Sequence, residues 1–171
     1  LAAGARLVVA IEPARENLEC LRRNLATEIA DGRVIVYPKG VWDREDSLML
    51  KATPGFSASD SVVISGGKDF HDTYKVSLTT IDTLVAELAL DRVDFVKMNI
   101  EGAEQRALAG AVRTIDRFRP RMAVASNHLD DDTGKIPALV REARSDYRVA
   151  CGACYVDHDH LLVLPEILFF Y

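Results

Sequence analysis

At 171 residues, the chain has room for one domain built around a single core. Hydrophobic residues at 49% and charged residues at 27% exclude a disordered chain, and no apolar run approaches the roughly 20 residues that cross a bilayer. The net charge of −5 argues against a binder of the nucleic-acid backbone, which would normally show a basic face. Three cysteines make no disulfide framework, and no basic segment followed by an apolar stretch opens the chain, so a cytoplasmic location is expected. The first residue is Leu1 rather than Met, which reads as a start inside a longer gene product.

In chain order, Leu7-Val8-Val9-Ala10-Ile11 is a short apolar run of the kind that forms a strand buried on both faces of a parallel sheet. It ends at Glu12-Pro13, and Pro13 suits the first position of a helix. Leu18, Leu21, Leu25 and Ile29 continue that helix to about Ala30, and Asp31-Gly32 stops it. A second strand follows over Val34-Ile35-Val36, which completes a βαβ unit, and Lys39 to Asp43 reads as a loop.

Residues 44–75 form an insertion. Ser47 to Lys51 and Tyr74 to Leu78 read as antiparallel partners, separated by a polar stretch rich in Ser, Gly and Pro. Thr80 is a candidate N-cap for a short helix carrying Ile81, Leu84, Val85 and Leu88. Val93 to Ile100 reads as a parallel strand running into Glu101-Gly102-Ala103-Glu104. A helix then presents Leu108, Val112 and Ile115 on one face, closed by Pro120. A strand over Met122 to Ala125, a helix over Ile136 to Ala143, and strands over Tyr147 to Tyr155 and His160 to Leu164 complete the chain. This alternation predicts the α/β class, with a mainly parallel sheet and a closing antiparallel hairpin.

An acidic residue at the carboxyl end of a strand, as at Glu12, is placed to accept hydrogen bonds from a ribose diol. A solvated Glu12 favouring the positive end of the next helix is an equal reading. Lys97 and Asn99 are costly to bury in an apolar strand without partners, and alternation puts Lys97, Asn99 and Glu101 on one side. Glu101 and Glu104 also suit the positive end of the helix that follows them.

The segments AIEPARENLECLRRNL, TTIDTL and VDFVKMNIEGAEQRALAGA together resemble the FkbM family of SAM-dependent methyltransferases. Glu12, Pro13, Asn17 and Asn24 match its first motif, E-P-x-x-x-N-x-x-x-L-x-x-N. Lys97, Glu101, Gly102 and Glu104 match its second, K-x-D-x-E-G-x-E, and Asn99 stands where the family usually carries Asp. The resemblance runs from about Leu7 to Leu164. It implies a Rossmann-like sheet in the order 3-2-1-4-5-7-6, with S-adenosyl-L-methionine (SAM) as cofactor. It also implies transfer of a methyl group to a hydroxyl of a small molecule or sugar. Glu12 and Pro13 would lie at the cofactor's ribose, Lys39, Gly40 and Val41 beside its adenine, and Asn99 at its amino-acid end.

The family's first strand and glycine-rich loop would precede Leu1, so the chain reads as a single domain incomplete at its amino end. The strands near Val9 and Val96 would then flank a position that nothing in these residues fills. Such a seam invites pairing with another chain, a homo-oligomer included. For deprotonating the acceptor, the candidates are Glu101 and His128, with Lys97 and Asn99 beside them. A solvated His128 among Asp130, Asp131 and Asp132 is the competing reading. Cys151 and Cys154 with His158 and His160 supply four zinc-type ligands. Their spacing fits no common finger, so no metal site is expected, and a strand with buried cysteines before a polar turn accounts for them. Two other functions remain open: a nicotinamide-dependent oxidoreductase using Glu12 in the same way, and a non-catalytic fragment.

Overall fold

Residues 1–2, 4–52, 72–157 and 162–171 are described by the computed structural model. The chain divides into two compact units, one of residues 1–41 and 45–79 and the other of residues 42–44 and 80–171.

In the first unit, β1 (Val8–Ile11) pairs in parallel with β2 (Val34–Tyr37), with Val8 opposite Val34 and Ile11 opposite Tyr37. The connection is α1 (Arg15–Asn24) and α2 (Ala26–Ala30) rather than one continuous helix. Gly32, at φ +70°, makes the turn into β2. Within the expected loop, β3 (Gly40–Val41) pairs in parallel with β5 (Asp72–Thr79), and β4 (Asp46–Ala52) pairs antiparallel with β5. The antiparallel partners read from the sequence are therefore present. The Ser/Gly/Pro-rich stretch between them, 53–71, lies outside the described residues.

In the second unit, Thr80 caps α3 (Ile81–Glu87) as expected, its hydroxyl accepting from the Thr83 N–H. The main sheet has the order β6-β7-β11-β8, formed by β6 (Phe95–Met98), β7 (Arg121–Ala125), β8 (Val149–Cys151) and β11 (Ile167–Phe170). β6 and β7 are parallel, while β11 runs antiparallel to both β7 and β8. The sequence reading stopped at Leu164 and missed β11, whose Phe170 is 1% exposed and packs edge-on to Tyr147 at 6.4 Å. The Tyr147 hydroxyl donates to the Pro120 carbonyl at 2.7 Å, and burial pushes this phenol up to about 12.

A separate hairpin, β9 (Cys154–Asp157) with β10 (Leu162–Pro165), continues the β8–β11 ladder past a break at Gly152 and Ala153. The break corrects the reading of Cys151 and Cys154 as buried strand residues. β8 is an edge strand, and both thiols are exposed. His158 and His160 lie outside the described residues. β1 and β6 each end a sheet, and among the described residues each has a single strand partner. Phe95, at the start of β6, is 59% exposed.

The helix expected from Gly102 to Pro120 is two, α4 (Glu104–Ala109) and α5 (Val112–Phe118), and Val112 faces outward rather than sharing a face with Leu108 and Ile115. The break falls at Gly110, where a Cβ would stand 2.1 Å from the Trp42 carbonyl oxygen. α6 (Asp132–Ala143) packs against α4 and α5, burying Ile136 and Val140 completely. Gly110→Ala should therefore force the backbone at Trp42 or α4 to shift. The expected loss is about 1–3 kcal/mol, the range for overpacked sites, read from the chemical-denaturation midpoint. An unchanged midpoint would show that the close approach carries no constraint.

Candidate functional site

Parallel pairing brings the carboxyl ends of β1 and β2 side by side, and the Glu12 N–H donates to the Tyr37 carbonyl at 3.1 Å. Here the chain must start α1 with Ala14 as N-cap, a residue whose side chain offers no oxygen. Glu12 supplies it instead. Its Oε1 accepts from the Ala14 N–H at 2.8 Å, and its Oε2 accepts from the Asn17 amide at 3.1 Å. Pro13 consequently precedes the cap rather than opening the helix as the sequence reading had it.

Gly40 is buried beside this turn. A Cβ there would meet Leu78 Cδ2 at 2.7 Å and lie 3.9 Å from Pro13, so only glycine fits without a shift. Val41 is 8% exposed and pairs with Thr79. The Lys39 ammonium sits 5.3 Å from the Tyr37 ring centroid. Glu12, Pro13, Lys39, Gly40 and Val41 thus gather in the first unit. Asn99, assigned to the same cofactor from the sequence, belongs to the second.

In the second unit β6 ends at Met98, two residues earlier than expected. Phe95, Lys97 and Asn99 are exposed, whereas Met98 is buried. Strand alternation therefore holds for Lys97 and Asn99 but does not reach Glu101, which a turn positions instead. Glu101 has φ +55° and Gly102 φ +94°, two successive left-handed residues. For a non-glycine residue that conformation costs of order 1–3 kcal/mol unless its surroundings hold it.

The holding group is Glu104, fully buried at the start of α4. Its Oε1 accepts from the Ile100 N–H at 2.7 Å, and its Oε2 accepts from the Gly102 N–H at 3.0 Å. His128, beyond the end of β7, completes the group. Its Nδ1 lies 3.0 Å from Glu104 Oε1, an ionic contact off the ideal hydrogen-bond direction, and its Nε2 lies 3.7 Å from Glu101 Oε1. Asp132 fixes the His128 loop by accepting from the N–H groups of His128 and Leu129, at 3.2 and 2.8 Å. The structure thus brings Glu101 and His128 together, and His128 is only 12% exposed rather than solvated.

Sequence reading left Asn17 without a role, treated Glu104 as a partner of the helix dipole, and counted Asp132 only as a neighbour of a solvated histidine. The signal for Glu104 was its place two residues after a glycine. A carboxylate there can reach back to the N–H groups of a left-handed turn.

Glu104, His128 and Asp132 also present atoms within 4.8 Å of one another, a spacing at which a cation could bind. Each carboxylate oxygen, however, already accepts a hydrogen bond. Those of Glu104 take Ile100 and Gly102, and those of Asp132 take the Gln105 amide and the two loop N–H groups. Turn closure accounts for the cluster.

Burial pushes the Glu104 carboxyl up, but His128 and the backbone N–H groups outweigh it and hold the group below its ordinary value of 4.5. Glu104 raises His128 above its ordinary 6.5 against the opposing effect of burial, and Glu101 and Asp132 add to the rise. A raised histidine contributes stability that is complete below pH 6.5 and is lost as pH rises through its folded value. A lowered carboxylate contributes stability that is complete above pH 4.5 and is lost as pH falls through its folded value. Both contributions are whole between those limits. Thermal unfolding across pH should therefore show a decline on the alkaline side that His128→Ala removes. An identical profile in the variant would mean that His128 is not coupled to the fold.

The fold and the two carboxylate-held turns define a class before they define a family: an α/β protein with polar groups gathered at strand carboxyl ends. Residues 1–161 match the Methyltransferase FkbM domain, and the chain belongs to that family. Among solved structures it is similar to the methyltransferase FkbM from Methylobacillus flagellatus KT, at 23% identity and a TM-score of 0.66. The match covers 97% of this chain and 36% of that protein, so the chain spans little more than a third of its relative's length. No curated protein matches the chain. No helix among the described residues is long and apolar enough to cross a membrane.

Proposed function

We propose that the chain carries out SAM-dependent methyl transfer to the hydroxyl oxygen of a small molecule or sugar. The observation that carries this reading is His128, held between the buried Glu104 and the more exposed Glu101 beyond the ends of the parallel strands β6 and β7. A hydroxyl must lose its proton to become a nucleophile. A histidine whose two nitrogens face two carboxylates is a stronger base than an isolated imidazole, and general-base catalysis is worth typically about 10²–10⁴-fold in rate. Family membership supports methyl transfer over a nicotinamide oxidoreductase.

The sheet orders support a Rossmann-like methyltransferase fold. Taken unit by unit, the order β2-β1 is compatible with positions 3-2 of the expected sheet and β6-β7-β11-β8 with 4-5-7-6. The first unit suits the nucleoside end of SAM. Glu12 offers a carboxylate already oriented by Ala14 and Asn17, Gly40 leaves no side chain in the way, and Val41 gives an apolar surface. When bound, SAM supplies a methyl carbon on a positively charged sulfur that leaves with the electron pair of the broken bond. The residues of this chain do the rest: Glu12 binds the ribose, and His128 takes the acceptor's proton at the moment of transfer.

Isothermal titration with SAM tests the reading. Glu12→Ala should weaken binding by about 1 kcal/mol or more, roughly fivefold, while NAD titrated in parallel gives no heat. Equal SAM affinity in a folded Glu12→Ala variant would remove Glu12 from the site, and NAD binding would favour a dehydrogenase.

A further inference from the structure

We infer that Glu104 is the positioning residue of this site: it holds the His128 ring with Nδ1 against its own buried carboxylate, leaving Nε2 as the nitrogen that accepts the acceptor's proton. The inference rests on the reading of His128 as the base and adds what sets the orientation and charge of that base.

The His128 backbone and its ring are held separately. Asp132 fixes the backbone at His128 and Leu129, and Gln105 on α4 donates to both Asp131 and Asp132, at 2.7 and 2.9 Å. Glu104 itself cannot turn away, because its two oxygens close the Ile100–Glu104 turn through Ile100 and Gly102. Both ring nitrogens face a carboxylate, and a carboxylate accepts and never donates; the nearer and fully buried one, 3.0 Å from Nδ1 against 3.7 Å at Nε2, draws the single proton of a neutral ring to Nδ1. That leaves the Nε2 lone pair free on the Glu101 side, 3.7 Å from the Glu101 carboxylate. In the proposed step the acceptor's O–H bond breaks, its electron pair stays on oxygen, and the proton passes to Nε2. The imidazolium so formed is stabilised by Glu104, Glu101 and Asp132, the carboxylates that face it.

A structural role for Glu104, closing the turn and nothing more, would require no particular tautomer of His128. The two roles separate by nitrogen-15 NMR of the imidazole in the unliganded protein, titrated with pH. The neutral ring should carry its proton on Nδ1. Glu104→Gln should lower the proton affinity of His128 by about tenfold or more, the size expected when an adjacent carboxylate is neutralised. Glu101→Gln, at a partly exposed position, should lower it by a smaller factor and leave the tautomer unchanged. If Glu104→Gln does not fold, the tautomer of the unaltered protein and the Glu101→Gln titration decide. A neutral ring protonated on Nε2, or an unchanged His128 titration in folded Glu104→Gln, overturns the inference. No cofactor or acceptor enters this measurement, so its failure is distinct from a failure of SAM to bind.

Discussion

Burying a carboxylate is unfavourable by several kcal/mol unless nearly every lone pair finds a donor, and Glu104 is buried completely. Its donors come from an unusual stretch of backbone. Two successive left-handed residues, Glu101 and Gly102, turn the Ile100 and Gly102 N–H groups inward onto it. Charge-assisted bonds of this kind are each worth roughly 1.5–3 kcal/mol, enough to offset the strain at Glu101. The start of α4, the placement of Glu101 and the setting of His128 all depend on this one side chain.

The same device appears in the first unit. Glu12 stands past the end of β1 as Glu104 stands past the end of β6, and each carboxylate spends its oxygens on its own turn before any ligand arrives. In the proposed site the same atoms would serve both the turns and the ligand. A carboxylate held by two donors cannot rotate to follow a ligand, which gives up adaptability for preorganisation. Asn17 acts on Glu12 rather than on any ligand of its own. Its amide, in the first turn of α1, reaches back to the Glu12 oxygen that precedes the helix, which is what the E-P-x-x-x-N spacing allows.

Much of the architecture was legible in the sequence because burial leaves a period. The apolar runs at Val8–Ile11, Val34–Tyr37 and Arg121–Ala125 are strands, and the Thr80 cap lies where its residue type indicated. What escaped the sequence depended on contacts distant along the chain. The helix break at Gly110 exists because the Trp42 carbonyl comes close, and no local propensity shows that. β11 lies beyond Leu164, where the sequence reading ended, and Glu166 only interrupts a long antiparallel ladder. At the site, Glu12, Glu101 and His128 were legible as polar residues past strand ends. The fully buried state of Glu104 was not, because a charged residue at a helix start has an ordinary solvated explanation.

The dependence of the site on Glu104 is tested most directly by the hydrogen-exchange rates of the Ile100 and Gly102 amides, neither of which lies in a strand or helix. If Glu104 holds the turn, both amides should exchange about tenfold to a hundredfold more slowly than free coil amides. That ratio corresponds to a charge-assisted hydrogen bond of roughly 1.5–3 kcal/mol. Exchange of both amides at the rate of freely exposed coil would contradict it, because the turn would then open without reference to the carboxylate meant to close it.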